Sequence, residues 1–327
     1  MSEPKLSVVV IGRNEGERLR RCIDTLVKQT RQIVYVDSAS TDGSVQMARS
    51  RGVHVLDLDM TRAFSAARAR NEGYAVMRRD FPDAEFVQFV DGDCDVDPGW
   101  LSAGCRLLES RPDVAAVFGR LNERNPEASV YNYHAHMTWN PPAEGEVEFF
   151  GGNVMVRVAA LDAAKGFRED VIDSEDHELA IRLRASGGKV WYLERPMALH
   201  DLAIFDFSRW WVRTKRGGYG NGQIVTLHGN APGRPHRRDW NKSWVWGLAL
   251  PLATLLLVLA FGWEGLLPLL LYPLSFAKMY LRKPEDGGRN AGFAAISVLH
   301  KVAEMTGQVK FLLDKMMGRG PKIIEYK

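Results

Sequence analysis

Short apolar runs alternate with helix-like stretches along the first 120 residues. The runs are four to six residues long and rich in β-branched side chains, which is typical of buried strands. They are residues 6–11, 33–37, 53–56, 86–90 and 114–118. The stretches between them favour helices at residues 17–27, 44–50, 64–79 and 98–109. This alternation predicts an α/β fold, in which a mostly parallel, Rossmann-like sheet is flanked by helices.

The rhythm is interrupted at residues 121–152, which are rich in Asn, Glu, Tyr, His and Pro and resemble an inserted surface segment. It resumes with a strand at residues 154–156. Ser174 is then expected to be the N-cap of a helix that Gly187 and Gly188 end.

Composition changes sharply at Trp244. Residues 245–263 are 19 residues without a charge, and at about 1.5 Å per residue this helix matches a hydrocarbon core roughly 30 Å thick. A second apolar stretch, residues 265–281, contains Lys278 and two prolines. The pair predicts a hairpin of two membrane spans. A re-entrant hairpin and a buried hairpin of a soluble domain are the alternatives.

Basic residues flank the apolar pair on both outer sides, whereas the connection carries only Glu264. The flanking residues are Arg234, Arg237, Arg238, Lys242, Lys278, Arg282 and Lys283. The positive-inside rule therefore predicts that both ends are cytoplasmic, at the inner (plasma) membrane, and that Glu264 is outside. Beyond this pair, apolar residues at helical spacing between 293 and 316 predict an amphipathic helix, either on the membrane surface or packed on the globular domain.

These changes in composition divide the chain into four segments. We expect a globular domain at residues 1–230, a basic linker at 231–243, the apolar hairpin at 244–281 and an amphipathic, basic tail at 282–327. The net charge of +3 gives no reason to expect a nucleic-acid partner. The three cysteines lack metal-ligand spacing, so neither a disulfide framework nor a zinc site is expected.

Two acidic clusters are candidates for chemistry. Asp91 and Asp93 follow the apolar run 86–90, so they lie at the carboxyl end of a predicted strand, where α/β sheets bind ligands. Their carboxylates suit Mg²⁺ or Mn²⁺ carrying a diphosphate, although Asp also starts turns and caps helices. The second cluster, residues 173–178, has four acids in six residues at a helix start, which is more than capping requires. One of these carboxylates is a candidate general base.

Five segments, in this order, resemble the successive motifs of family 2 glycosyltransferases. They are residues 8–15, 36–44 and 66–73, the Asp91-Gly92-Asp93 triplet, and Ser174-Glu175-Asp176 with Arg182-Leu183. The resemblance covers about residues 6–220. It implies a GT-A fold, a nucleotide-diphospho-sugar donor (a UDP-sugar favoured), a divalent cation (Mg²⁺ or Mn²⁺) and inversion at the anomeric carbon.

The resemblance also implies roles for individual residues. Asp37 would bind the donor base, Ile11, Arg13 and Glu15 would wall the nucleoside, and Arg68 would meet the base or the diphosphate. Asp91 would face the ribose or the metal, Asp93 would bind the metal, and Asp176 would be the catalytic base. Further residues have lesser claims: Glu175, Asp95, His200, Arg209, Trp210, Lys215 and Arg216.

Those lesser claims differ in kind. Asp95 would add a metal ligand or cap the helix near Pro98, and His200 would lie near the diphosphate or be structural. Arg209 and Trp210 are similar to part of a Gln-x-x-Arg-Trp motif of processive synthases, with Asp206 in place of Gln. Lys215 and Arg216 would form a mobile lid over the diphosphate.

The sequence is thus interpreted as a membrane-anchored inverting glycosyltransferase that extends a lipid-linked or surface glycan, similar to bacterial exopolysaccharide enzymes. One alternative is a polyprenyl-phosphate sugar synthase, whose phosphate acceptor needs no strong base. A second alternative is a membrane scaffold that keeps the fold without catalysis.

Overall fold

The structure is a computed structural model, and it describes residues 5–281 and 288–320. Its strands are β1 (Leu6–Gly12), β2 (Ile33–Asp37), β3 (His54–Asp57), β4 (Phe86–Asp91), β5 (Cys94–Val96), β6 (Val114–Glu123), β7 (Gly145–Val147), β8 (Val154–Arg157) and β9 (Lys189–His200). Its helices are α1 (Glu17–Leu26), α2 (Ser44–Ser50), α3 (Ala66–Asp80), α4 (Trp100–Ser110), α5 (Val130–Thr138), α6 (Val158–Ala163), α7 (Glu175–Ala185), α8 (Phe207–His228), α9 (Arg237–Trp244), α10 (Leu250–Phe261), α11 (Leu271–Leu281) and α12 (Gly288–Met316). The predicted α/β fold class is confirmed.

The sheet is mixed, and most of its aligned residues lie in parallel pairs, as predicted. Its strand order is β3-β2-β1-β4-β8-β6-β9-β5, with β7 added on β9. The pairs formed by β1 with β2, β1 with β4, β2 with β3 and β6 with β9 are parallel. Those formed by β4 with β8, β6 with β8, β5 with β9 and β7 with β9 are antiparallel. An apolar run identifies a strand, but the direction of its partner depends on segments far away in the chain.

The chain forms two compact units. One comprises Met1–Arg124 and Thr138–Leu202, and the other comprises Asn125–Met137 and Ala203–Lys327. The first contains the sheet, whose central strands are fully buried because both faces are covered. The compact boundary near residue 202 differs from the predicted domain end at 230. The reason is that α8 packs on α12, which no local sequence pattern reveals.

The second unit is helical, and glycines bring two of its helices into backbone contact. A Cβ atom at Gly218 of α8 would lie 2.1 Å from the Glu304 carbonyl oxygen of α12, and one at Gly307 would lie 1.9 Å from the Lys215 carbonyl oxygen. Gly218, two residues after Arg216, therefore permits helix packing. Lys215 and Arg216 lie in this helix, and their role as a mobile lid stays a prediction. The predicted amphipathic helix is α12, and its buried residues contact other helices of its own unit.

The apolar segment is a helical hairpin. The chain reverses at Gly262, which has φ 65°, and Gly265 packs against the backbone of Leu257 and Val258. The Tyr272 hydroxyl donates a hydrogen bond to the Trp246 carbonyl oxygen, which ties the two arms together.

Many leucines of this hairpin are exposed. In the described residues, Arg237–Leu281 is the one helical run long and apolar enough to cross a membrane, by length and composition. Its most apolar window has a mean hydropathy of 2.2, and 11% of that window is buried. A core hairpin of a soluble domain would bury this surface, so the exposure suggests a membrane association. Arg282, Lys283 and the last seven residues lie outside the described ranges.

Candidate active site

Three polar loops, which follow β1, β2 and β4, meet at one edge of the sheet. In the parallel ladders, Gly12 at the end of β1 is aligned with Asp37 at the end of β2. Ile11 is aligned with Asp91 at the end of β4. Because the carboxyl ends of parallel strands share an edge, the three loops lie side by side at that edge.

Side chains fix the first two loops to each other. The Asn14 amide oxygen accepts a hydrogen bond from the Thr41 backbone at 2.8 Å, and the Asn14 backbone donates to the Ser40 hydroxyl at 2.8 Å. Asn14 and Ala39 both have positive φ, at 54° and 62°. Such backbone angles cost energy in non-glycine residues, so the surrounding contacts must hold the two loops in this shape.

The predicted nucleoside residues lie in these loops. Asp37 is almost fully buried, and its two oxygens accept hydrogen bonds from the Tyr35 hydroxyl and the Ser40 backbone, both at 2.7 Å. Glu15 is buried against Arg18 at 2.7 Å. The Arg13 guanidinium stacks over Phe64 at 4.8 Å from the ring centroid. The structure thus gathers Ile11, Arg13, Glu15 and Asp37, whose contacts with a nucleoside remain predictions.

Arg70 is the residue that the sequence analysis missed. Its buried guanidinium donates hydrogen bonds to Asp91 Oδ1 at 2.8 Å and to Glu175 Oε1 of α7. One positive charge therefore joins the strand-end acid to the acidic helix start. Arg70 lies within the 66–73 motif, so the sequence did indicate its neighbourhood. The spacing could not show whether Arg68 or Arg70 turns toward the site.

Arg68 is the other arginine of that motif, and its guanidinium is occupied elsewhere. It bonds to the Glu72 carboxylate and to the carbonyl oxygens of Asp59, Arg62 and Ala63. These contacts fold the loop before α3. Its contact with the donor stays a prediction. In the structure, Arg68 stabilises the loop before α3.

Gly152 leaves the space that the Arg70–Asp91 pair occupies. A Cβ atom at this position would lie 2.5 Å from Arg70 Nη2 and 2.6 Å from Asp91 Oδ2. The next residue, Asn153, accepts a hydrogen bond from the Asp91 backbone at 3.1 Å and donates one to Cys94 Sγ at 3.3 Å. The Gly151-Gly152-Asn153 segment, which immediately precedes β8, thus shapes the site.

Asp93 and His200 form the candidate metal centre. His200 ends β9, and its Nε2 lies 3.3 Å from Asp93 Oδ1. One ligand atom each from Asp93, Cys94 and His200 lies within 4.8 Å of the others. A carboxylate oxygen and an imidazole nitrogen suit Mn²⁺, and carboxylates suit Mg²⁺, so the residues fit a divalent cation. The sequence did not indicate that His200 lies beside Asp93.

Asp95 does not cap the helix near Pro98. It lies in β5, where its carboxylate is bound by Arg124 and faces Arg21 Nε at 3.5 Å. The turn before α4 is instead fixed by Asp97, whose Oδ1 accepts a hydrogen bond from the Gly99 backbone at 2.9 Å. In the structure Asp95 therefore forms ion pairs, and its role as a metal ligand stays a prediction.

The second acidic cluster forms the first turn of α7. Ser174 is at the predicted N-cap position, but it has φ 64° and its side chain makes no capping hydrogen bond. Burial raises the pKa of Glu175 to about 7, and the positive charge of Arg70 opposes the rise. Burial likewise raises the pKa of Asp176 to about 7, again opposed by Arg70. Near neutral pH these carboxyls both accept and release protons, as a general base must.

Four of the lesser candidates lie in the helical unit. Asp206 is the N-cap of α8, since its carboxylate accepts a hydrogen bond from the Arg209 backbone at 2.8 Å. This Asp stands where the processive motif has Gln, and its observed role is capping. Trp210 is buried against Tyr131, with the ring centroids 5.7 Å apart. Lys215 and Arg216 follow in the same helix, and roles in donor binding for all four remain predictions.

Taken together, a mixed sheet with strand-end carboxylates, residues that fit a divalent cation and an acidic helix start are typical of a transferase of the GT-A type. Two family profiles match the chain: "Glycosyl transferase family 2" over residues 7–163 and "Glycosyl transferase family group 2" over residues 86–282. The chain belongs to the family 2 glycosyltransferases and is an enzyme of that kind.

Several curated proteins are similar in sequence. The chain is 35% identical to the Uncharacterized glycosyltransferase YibD of Escherichia coli over 121 residues, which are 35% of this chain and 33% of that protein. It is 27% identical to Glycosyltransferase AglE of Haloferax volcanii over 214 residues, 62% of this chain and 68% of that protein. It is 23% identical to the O-antigen biosynthesis protein RfbC of Myxococcus xanthus over 59% of this chain and 16% of that protein. The matches thus span about a third of YibD and a sixth of RfbC.

Solved structures show the same fold. A mannosyltransferase from Pyrobaculum calidifontis, in complex with GDP-Man and Mn²⁺, superposes with a TM-score of 0.67 at 20% identity, over 96% of this chain and 89% of that one. TarS 1–349 of S. aureus with UDP superposes with a TM-score of 0.51 at 14% identity, over 98% and 96%. These likenesses confirm the predicted GT-A fold.

Proposed function

We propose that this enzyme transfers a sugar, with inversion, from a nucleotide-diphospho-sugar to a hydroxyl of a lipid-linked or surface glycan, in a metal-dependent reaction. The observation that carries the proposal is the Arg70 bridge. It joins Asp91, at the edge where a donor diphosphate would bind, to the helix start that holds Asp176. The residue proposed for the leaving-group site and the helix turn that carries the proposed base are therefore both bonded to one buried guanidinium.

The chemistry follows from these positions. Asp176 accepts the proton of the acceptor hydroxyl while that oxygen forms a bond to the anomeric carbon. The bond between the anomeric carbon and the diphosphate oxygen breaks, and its electron pair leaves with the diphosphate. A Mn²⁺ or Mg²⁺ ion held by Asp93 and His200, with Asp91 nearby, would neutralise that departing charge. A single displacement of this kind inverts the anomeric configuration.

Asp91, Asp37 and the loop of Ile11, Arg13 and Glu15 are assigned to the donor. The solved structures with related folds contain GDP-Man in one case and UDP in another, so both bases are candidates and the UDP preference is a prediction. The name of one relative, an O-antigen biosynthesis protein, supports a cell-envelope glycan as the product.

We place the enzyme at the inner membrane, with the sheet unit in the cytoplasm. Support comes from the exposed leucines of the apolar hairpin and from the exposed Arg234, Arg237 and Arg238 before it. In intact cells, a cysteine at Glu264 should react with an impermeant reagent, whereas one at Arg234 should not. Labelling of Arg234→Cys alone would reverse the orientation, and protection of both would favour a re-entrant hairpin.

Donor turnover tests the activity itself. The full chain in detergent with Mn²⁺ should release nucleotide diphosphate from a UDP-sugar or GDP-mannose, and that donor should raise its thermal midpoint. Asp93→Asn is the control, since it should lose the metal-dependent part of both signals. Failure to turn over any donor would favour the non-catalytic scaffold. Activity with undecaprenyl phosphate that survives Asp176→Asn would favour the polyprenyl-phosphate synthase.

A further inference from the structure

Two aromatic rings flank the proposed reaction centre, and both come from the segment between α5 and β8. Phe149 stacks on His177, the residue after Asp176, with ring centroids 4.8 Å apart and an interplanar angle of 23°. Trp139 contacts His200 edge to face, with centroids 4.8 Å apart. One ring therefore lies beside the base and the other beside the metal ligand, and both are half-buried.

The segment that carries these rings is anchored at two points. The Asn140 amide bonds to both backbone groups of Leu121 in β6, at 2.9 Å and 2.8 Å. Further along, β7 pairs with β9 through Glu146 and Trp191. The rings are consequently held in place before a ligand arrives, which lowers the entropic cost of binding one.

The charges around Asp176 exclude an anionic acceptor more readily than a neutral one. Burial raises the pKa of Asp176, and the negative charges of Asp173 and Asp91 raise it further. The positive group that acts on it, Arg70, is 3% exposed and already bonded to Asp91 and Glu175. A phosphate acceptor would add negative charge beside these acids, whereas a sugar hydroxyl adds none.

From this geometry we infer that Phe149 and Trp139 form a stacking subsite for a sugar ring of the acceptor, so the acceptor is a glycan and not a bare lipid phosphate. A pyranose presents a face of C–H groups, which is apolar and slightly positive. That face matches the negative face of an aromatic ring. The inference rests on the proposed glycosyl transfer and names the residues that would hold its acceptor.

The test uses the full chain in detergent with Mn²⁺ and the donor that it turns over. Octyl glycosides of glucose, galactose, mannose and N-acetylglucosamine serve as acceptors, and undecaprenyl phosphate is offered in parallel. Transfer to at least one glycoside is expected. Phe149→Leu and Trp139→Leu should each raise the KM for that glycoside by about tenfold or more. Phe149→Tyr and Trp139→Phe, which keep an aromatic ring, should stay close to the parent.

Phe81→Leu is the matched control. Phe81 is also half-buried, but it lies between the end of α3 and the start of β4, at the edge of the sheet opposite the strand-end acids. Its substitution should leave the glycoside KM unchanged.

Three results would overturn the inference. They are transfer to undecaprenyl phosphate only, donor hydrolysis without transfer to any acceptor, and leucine variants that weaken donor binding as much as glycoside binding. A chain that turns over no donor would instead contradict the proposed function, and the acceptor assignment with it.

Discussion

The two compact units differ in which unusual side chains they bury or expose. The sheet unit buries charge, with Arg70, Asp93 and Glu175 all nearly inaccessible. The helical unit exposes apolar surface, with Leu259 75% and Trp263 79% exposed. Neither arrangement stabilises the folded chain. A buried charge loses its hydration, and an exposed leucine contributes no free energy of burial. Each exception therefore points to a ligand: a charged substrate for the first unit and a membrane for the second.

A third cluster shows that buried charge is not by itself a site. In the helical unit, Glu304 is bound by Ser243 at 2.7 Å, Lys301 at 2.8 Å and His300 at 3.1 Å. These partners satisfy the carboxylate completely, and they tie α9 to α12. The acids of the sheet unit differ because Glu175 and Asp176 have to share the single charge of Arg70 with Asp91.

The largest effect is expected from Asp176→Asn. We predict that it lowers kcat by at least about 10²-fold, the range for loss of a general base, because the amide cannot accept the proton. Donor and metal affinity should hardly change. The control is Asp170→Asn, which alters an exposed partner of Arg168. A turnover number within a few-fold of the parent would transfer the role to Glu175 or Asp173.

Asp93→Asn should abolish metal-dependent donor binding. The substitution keeps the side-chain volume but removes a charged ligand beside His200, so calorimetry in Mn²⁺ should show donor affinity falling about tenfold or more. Asp83→Asn, on the exposed loop before β4, should have no effect. Unchanged donor affinity in the Asp93 variant would remove this residue from the metal centre.

Two adjacent glycines give the sharpest structural comparison. Gly152→Ala places a methyl group against Arg70 and Asp91, and we expect it to cost about 1–3 kcal/mol of unfolding free energy and to reduce kcat. Gly151→Ala meets nothing within 4 Å and should leave both unchanged. Equal effects at the two positions, measured by urea unfolding and by turnover, would contradict the need for space beside the Arg70 bridge.

The pH dependence should reflect the raised pKa of Asp176. As a base it must be ionised, so kcat should fall about tenfold per pH unit below about pH 7 and be level above it. Since its pKa is higher in the folded chain than the usual 3.8, the folded state holds this proton more tightly. The stability contributed by the group is therefore lost as pH rises from about 4 to 7. A kcat that stays constant down to pH 5 would exclude Asp176 as the base.

The smallest effect is expected in the apolar hairpin. Leu259→Ala should change the unfolding free energy in detergent by less than about 0.5 kcal/mol, because the side chain has few protein contacts to lose. Leu179→Ala, which empties a fully buried position in α7, should cost about 2–5 kcal/mol. A large loss at position 259 would mean that the hairpin packs in a soluble core.

The acidic loops, the helix start at Glu175 and the apolar hairpin were all predicted from local pattern. Strand-end position alone brought Ile11, Asp37 and Asp91 to one edge, since parallel strands must align their carboxyl ends. The register of Gly12 with Asp37 and of Ile11 with Asp91 agrees with that rule. The family motifs, read in order, supplied the fold and the class of enzyme.

The sequence could not predict which distant segments pair with each other. Nothing in the spacing of residues 66–73 separates Arg68, which folds its own loop, from Arg70, which reaches α7. The same limit applies to His200, which meets Asp93 because β5 and β9 pair as antiparallel neighbours, and to Gly218 of α8, which permits a close contact with α12. Local sequence determines what a segment can form and what chemistry it carries. Which side chains meet depends on contacts between residues far apart in the chain, and only the tertiary structure decides those.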